Sequence, residues 1–127
     1  MRVLFAEDEQ EIREAVITLL GKFGHTVVAV DKAEDLLVEL GRNTFDLILT
    51  DNDTGSDMRG LDVARKIRTD PFYKEIQDIP VIIQSGSAIE AETLKLNALF
   101  LLKPWGRLQL KMALDEAVLR QAGSPIR

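Results

Sequence analysis

The chain alternates short apolar runs with longer stretches in which apolar and polar residues are mixed. Each run is brief and rich in branched side chains, which is typical of strands buried in a sheet. Strict alternation of strand and helix predicts right-handed crossovers and a parallel sheet covered by helices on both faces. The five runs are Val3 to Ala6, Val27 to Val30, Leu47 to Thr50, Val81 to Ile83 and Leu99 to Leu102.

Helical periodicity is strongest between the first two runs, where apolar residues recur every three or four positions. This spacing predicts a helix with one apolar face. The second helix repeats the pattern, with Asp31 as its predicted N-cap and Gly41 as its end. The apolar positions of the two helices are Ile12, Ala15, Val16, Leu19, Leu20 and Phe23, then Ala33, Leu36, Leu37 and Leu40.

Three further helical stretches follow. The third helix must end before Pro71, because the residue that precedes a proline is disfavoured in the helical conformation. Between Gly86 and Asn97 only about two turns of helix-forming residues are present, so the fourth helix is predicted to be short or irregular. The fifth runs from about residue 107 to 121, with Leu110, Ala113, Leu114, Ala117 and Val118 on its buried side.

These elements predict an α/β fold, a flavodoxin-like doubly wound sheet of five parallel strands in the order 2-1-3-4-5 with five helices. Residues 1–122 are expected to form one domain, and residues 123–127 a tail or the start of a linker. In such a sheet, ligands bind at the carboxyl ends of the strands where the winding reverses, here between the first and third strands.

The composition of the chain excludes several kinds of site and argues against a nucleic-acid surface. The chain has 127 residues and no cysteine, which excludes disulfides, thiolate metal sites and cysteine nucleophiles. Its net charge of −5 and lack of a basic cluster argue against a nucleic-acid surface. The start turns acidic at Glu7, unlike a signal peptide, and no apolar run approaches membrane-spanning length, so we expect a cytoplasmic protein that does not enter a membrane.

Acidic residues follow the two strands that flank the predicted winding reversal. Glu7 and Asp8 come directly after the first strand, and Asp51 ends the third. Carboxylates gathered in one crevice repel each other unless a cation joins them, and Mg²⁺ prefers a few carboxylates together with water and phosphate oxygens. The alternative for Asp8 is that it caps the first helix, with Glu11 completing a capping box.

A hydroxyl and an ammonium group follow the last two strands, at Ser85 and Lys103. Together with a metal ion they would neutralise the oxygens of a phosphoryl group during transfer. Asp51 would then be the nucleophile that becomes an aspartyl phosphate. Taken singly, a serine after a strand, such as Ser85, is more often a turn or cap residue than a ligand, and a lone lysine such as Lys103 is usually a solvated charge.

With these motifs the sequence resembles the receiver domain of two-component response regulators over nearly its whole length. The matching features are the acidic pair Glu7-Asp8, the run Asp46-Leu-Ile-Leu-Thr-Asp51, Ser85-Gly86, and Lys103-Pro104 followed by Trp105.

The resemblance implies a role for each site residue. Asp8 and Asp51 would bind Mg²⁺ directly, the backbone carbonyl of Asp53 would add a third ligand, and Glu7 would act through water. Ser85 and Lys103 would hold the phosphoryl group.

Three further roles follow from the same resemblance. Phe100 matches the aromatic switch residue of the family, while Asp53 and Ser87 would tune the lifetime of the phosphoryl group. The family also implies a cis bond between Lys103 and Pro104, which proline makes accessible.

Three departures distinguish the chain from the common pattern. Thr54-Gly55 replaces the usual Met-Pro, and Gly60 comes nine residues after Asp51, one later than usual. Only 18 positions separate Ser85 from Lys103, which shortens the region of the fourth helix. These features resemble the receivers associated with hybrid histidine kinases.

The sequence therefore predicts a phosphoacceptor that catalyses only its own phosphorylation and dephosphorylation. Its donor would be a histidine kinase or a histidine phosphotransfer protein, and its downstream partner is unknown. Whether the chain forms a homodimer stays open. One alternative is a small haloacid-dehalogenase-like phosphatase, because Asp51-Asn52-Asp53-Thr54 resembles its DxDxT signature. The other is a receiver-like module that binds a partner without phosphorylation.

Overall fold

The computed structural model describes residues 1–121 and contains one five-stranded sheet flanked by five α-helices. The strands are parallel and lie in the order β2-β1-β3-β4-β5, which confirms the predicted topology. The predicted tail at residues 123–127 lies outside the described residues. In chain order the elements are β1 Arg2–Ala6, α1 Gln10–Lys22, β2 Thr26–Val30, α2 Ala33–Leu40, β3 Leu47–Asp51, α3 Gly60–Thr69, a 3₁₀ helix Pro71–Ile76, β4 Val81–Ser85, α4 Glu90–Lys95, β5 Leu99–Leu102 and α5 Arg107–Gln121.

Two apolar layers hold the sheet between the helices. On one face, α1 and α5 pack through residues such as Leu20 and Leu110, both fully buried. On the other face, α2 and α3 pack through Leu36 and Ile67. The central strand β3 is buried at every position, because its successive side chains point alternately into the two layers. Among residues 1–121 we find no helix long and apolar enough to cross a bilayer.

The fourth helix is short, as predicted, and arginine side chains bind carbonyl groups of the turn that follows it. The half-buried guanidinium group of Arg68, on α3, donates hydrogen bonds to the carbonyls of Gln77, Ile79, Leu96 and Asn97. Burial lowers the pKa of Arg68, and Asp78 partly offsets this. The turn between α4 and β5, which has a positive φ of 54° at Asn97, is thus held by Arg68 of α3 and Arg120 of α5 in addition to the backbone bonds at the end of α4.

Four local predictions were wrong in detail. Ile12 and Ala15 are exposed although their spacing places them on the apolar stripe of α1, and Val118 of α5 is 41% exposed. Helical spacing gives the direction of a side chain but not how far the neighbouring element extends. The N-cap of α2 is Lys32 rather than Asp31, and it makes no side-chain capping bond.

The central strand is expected to carry far more stability than the edge strand. We predict that Leu49→Ala, in β3, lowers the free energy of unfolding by about 2–5 kcal/mol, because it opens a cavity in a fully buried layer. The matched change Leu102→Ala, at a side chain of β5 that is 56% exposed, should cost less than about 1 kcal/mol. Urea unfolding of the two variants measures both values, and equal losses would contradict this account.

Candidate functional site

Register in the parallel sheet brings the predicted acids together. Strand β1 pairs with β3 so that Ala6 lies opposite Thr50, which places the residues that follow each strand at the same edge. One carboxylate oxygen from each of Glu7, Asp8 and Asp51 lies within 4.8 Å of the others. This spacing suits three oxygens that share one small cation. The alternative role of Asp8 is not observed: Glu9 is the N-cap of α1, and no side chain caps that helix.

Glu7 is the most constrained of the three acids. Its side chain is 1% exposed, one carboxylate oxygen accepts the Glu9 N–H at 3.2 Å, and the buried Oε1 has no hydrogen-bond partner. Burial raises the pKa of Glu7 to about 6, and the charge of Asp51 adds to this, while the Glu9 N–H and Lys103 oppose it. A buried oxygen without a partner is costly, so this position favours a cation.

Among the residues that the structure describes, Lys103 provides the one positive charge in direct contact with Asp51. Its Nζ lies 2.6 Å from Asp51 Oδ2 and 3.9 Å from Glu7 Oε1. Burial lowers the pKa of Lys103, but its hydrogen bond to Asp51 and the charges of Asp51 and Glu7 outweigh burial and raise it. The lysine is therefore held in its charged form. The bond from Lys103 to Pro104 is cis, as the family resemblance implies.

The serines lie at the end of β4, beside the acids. Ser85 is 7% exposed, and its hydroxyl oxygen accepts the N–H of Ser87 at 3.0 Å, which leaves the hydroxyl hydrogen available to a ligand. A single open cleft brings nearly all of the predicted site residues together. Its lining includes Glu7, Asp8, Asp51, Asp53, Ser85, Ser87 and Lys103.

The predicted switch residue lies elsewhere. Phe100 is half-buried on the edge strand β5, opposite Ile83 in register, and does not line the cleft. Its role as a switch stays a prediction. Asp53 does line the cleft, but its exposed side chain accepts the N–H of Gly55 at 3.0 Å and so bonds within its own loop.

Sequence reasoning missed a polar pair behind the site. Gln84 lies opposite Asp51 in register and is 1% exposed, and its side-chain oxygen accepts the indole N–H of Trp105 at 2.6 Å. The amide nitrogen of Gln84 is buried without a partner. The available signal was a polar residue at the end of an otherwise apolar strand, where a buried amide requires a specific partner.

Two backbone contacts fix the segment that follows Asp51. The side chain of Asn52 accepts the N–H of Leu61 at 3.0 Å, and the N–H of Gly60 donates to the Asn52 carbonyl at 2.9 Å. A Cβ on Gly60 would lie 2.9 Å from the Asp51 carbonyl oxygen, which is too close for any side chain. The first turn of α3 therefore packs directly against the strand end that presents Asp51.

Comparison with known proteins agrees with this geometry. The 3',5'-cyclic-nucleotide phosphodiesterase regA of Dictyostelium discoideum is 31% identical over 122 residues, which cover 91% of this chain and 15% of that protein. The chemotaxis protein CheY1 of Helicobacter pylori is 26% identical over 117 residues, which cover 91% of this chain and 94% of that protein. The chain spans only 15% and 11% of the first two curated relatives that it matches.

Solved structures share the fold. A response regulator receiver domain protein from Clostridium thermocellum superposes with a TM-score of 0.82 at 24% identity, covering 95% of this chain and 96% of that one. The receiver domain of a sensor histidine kinase from Pseudomonas aeruginosa, with a magnesium ion in its active-site cleft, gives 0.76 at 21% identity, covering 92% and 96%. The family described as the response regulator receiver domain matches residues 3–115. The chain belongs to that family, whose members are phosphoacceptors in two-component signalling.

Proposed function

We propose that this receiver domain accepts a phosphoryl group on Asp51 in an Mg²⁺-dependent transfer from a phosphohistidine. The donor would be a histidine kinase or a histidine phosphotransfer protein. The observation that carries the proposal is the cluster of Glu7, Asp8 and Asp51 oxygens within 4.8 Å of one another, with Lys103 Nζ 2.6 Å from Asp51. Such a cluster gathers an attacking oxygen and the charges that a transferred phosphoryl group requires.

The acids fit a magnesium ion. Asp8 and Asp51 would bind it directly with the backbone carbonyl of Asp53, and Glu7, whose buried Oε1 lacks a partner, would act through water. When bound, Mg²⁺ supplies positive charge against the phosphoryl oxygens. The magnesium ion in the cleft of the Pseudomonas aeruginosa receiver supports this assignment.

The transfer itself requires little of the protein beyond position and charge. An Asp51 carboxylate oxygen attacks phosphorus, the O–P bond forms as the N–P bond of the phosphohistidine breaks, and the departing imidazole nitrogen keeps the bonding electrons and takes up a proton. Lys103 pairs with the product, and the Ser85 hydroxyl donates to a phosphoryl oxygen. Asp53 and Ser87, exposed at the mouth of the cleft, would tune hydrolysis.

The output would be a shift between two arrangements of the loops at this edge. A phosphoryl group changes the population only if it contacts the two arrangements differently, and we assign that difference to Ser85 and Phe100. The short α4, six residues long, supports a place among receivers associated with hybrid histidine kinases. In this proposal the chain catalyses only its own phosphorylation and dephosphorylation.

Replacing the phosphoacceptor should abolish labelling. With a small phosphodonor and Mg²⁺, we expect intact mass spectrometry to detect one added phosphoryl group on the wild type and none on Asp51→Asn, because the amide is not nucleophilic. The matched variant Asp53→Asn should still be labelled, with a changed lifetime. Labelling of Asp51→Asn at the wild-type rate would refute the assignment.

The same experiment tests the alternatives. A haloacid-dehalogenase-like phosphatase would turn over many equivalents of donor, and Asp53→Asn would stop that turnover, since the second aspartate of its signature is the acid and base. A module that works without phosphorylation would gain no mass under any condition.

Removing the buried charge of Glu7 should stabilise the metal-free protein. The folded-state pKa, about 6, lies above the ordinary value of 4.5, so ionised Glu7 opposes folding, and this cost appears as the pH rises through that range. We expect Glu7→Gln to be more stable than the wild type by about 1–2 kcal/mol at pH 8 in EDTA, and the difference to shrink as the pH falls and to vanish below pH 4.5.

Magnesium should shift the difference in stability in favour of the wild type. Because the carboxylate favours the ion, the wild type should gain more stability from MgCl₂ than Glu7→Gln does. Urea unfolding across the pH range, with and without metal, measures both effects. A Glu7→Gln variant that is less stable than the wild type at every pH in EDTA would show that the buried charge of Glu7 does not oppose folding.

A further inference from the structure

A side-chain hydroxyl ties the loop that follows Asp51 to the start of α2. Thr54 is 3% exposed, and its Oγ1 accepts the N–H of Ala33 at 3.0 Å, across 21 positions of the chain. Ala33 is the first residue of α2 and is fully buried, while its N-cap, Lys32, supplies no side-chain bond. Thr54 therefore satisfies a helix N–H that would otherwise be buried without a partner.

The bond to α2 is one link in a short chain of hydrogen bonds. The hydroxyl oxygens of Thr54 and Ser56 lie 3.3 Å apart, and Ser56 donates to the carbonyl of Met58 at 3.2 Å. With Ser56 donating to Met58, the hydrogen of Thr54 is directed to Ser56. Connected hydrogen bonds strengthen one another, so this half of the loop has little freedom.

The residues on either side of Thr54 lie against the acids. The N–H of Asp53 approaches Asp51 Oδ1 at 3.4 Å, and a Cβ built on Gly55 would lie 3.5 Å from Asp8 Oδ2. Gly55 has a φ of 75°, a conformation that glycine adopts readily. Asp53 and Gly55, on either side of Thr54, thus lie against the acids of the site, while the Thr54 side chain bonds to the start of α2.

We infer that Thr54 is a positioning residue for the magnesium site, and that its hydrogen bond to Ala33 fixes the peptide whose carbonyl, that of Asp53, is to bind the ion. The inference rests on the proposed function. Mg²⁺ requires near-octahedral ligands at short distances, so a carbonyl on a loop serves only if the loop is held in place. In this chain a hydroxyl at position 54 holds it.

The expected effect of removing the hydroxyl is a loss of metal affinity. Groups that orient metal ligands typically contribute 10- to 100-fold to affinity, and since Asp53 would be one ligand among several, we expect the lower end of that range. Thr54→Val keeps the shape of the side chain but removes the acceptor of the Ala33 N–H. Thr54→Ser keeps the acceptor.

The experiment measures Mg²⁺ binding through folding rather than through phosphorylation. Urea unfolding at increasing MgCl₂ and constant ionic strength gives the Kd of each variant, because an ion that binds only the folded state stabilises it in proportion to ln(1 + [Mg²⁺]/Kd). The matched control is Thr93→Val. Thr93 is fully buried and its hydroxyl donates to the carbonyl of Ile89 at 2.9 Å, but it lies on α4 and does not line the cleft.

We expect the Kd for Mg²⁺ to rise about tenfold in Thr54→Val and to stay near the wild-type value in Thr54→Ser and Thr93→Val, although Thr93→Val lowers the metal-free stability. Equal Kd values for wild type and Thr54→Val would overturn the inference and leave the proposed function intact. A wild type that gains no stability from MgCl₂ would overturn the magnesium site itself. If Thr54→Val does not fold, Ser56→Ala should show a smaller rise in Kd, and an unchanged value there would overturn the inference.

Discussion

The candidate site depends on a fold that holds three carboxylates close together although their charges repel one another. Glu7, Asp8 and Asp51 are held within reach of one ion, and within residues 1–121 only Lys103 offers a positive charge in direct contact with Asp51. Such an arrangement is unfavourable in isolation and persists because the surrounding fold imposes it. The excess of negative charge makes this group of oxygens a candidate site for a cation.

The central strands of the sheet, β1 and β3, bring these carboxylates together. Asp51 ends strand β3, which is buried at every position, and register with β1 brings Glu7 and Asp8 to the same edge. The helices add a second level of support. The first turn of α3 packs on the strand end through Gly60, and the loop in between is tied to α2 through Thr54.

Two side-chain contacts lie at opposite edges of the sheet. At the amino edge, the guanidinium group of Arg68 binds carbonyls of the α4–β5 turn. At the carboxyl edge, the side-chain oxygen of Gln84, which lies opposite Asp51 in register, accepts the indole N–H of Trp105. The second contact lies at the edge that carries the site, and it links the end of β4 to the segment before α5.

The sequence by itself determined the strand and helix order, the sheet topology, the short α4 and the residues that meet at the carboxyl edge. It could do so because periodicity is a local property, and because parallel strands with right-handed crossovers leave few arrangements open. Tertiary structure alone decided that Glu7 is buried with an orphan oxygen, that Gln84 pairs with Trp105, that Ile12 and Val118 are exposed, and that Thr54 caps a helix 21 positions away. Each of these depends on which distant groups come within hydrogen-bond or van der Waals reach, and spacing along a chain carries no measure of that distance.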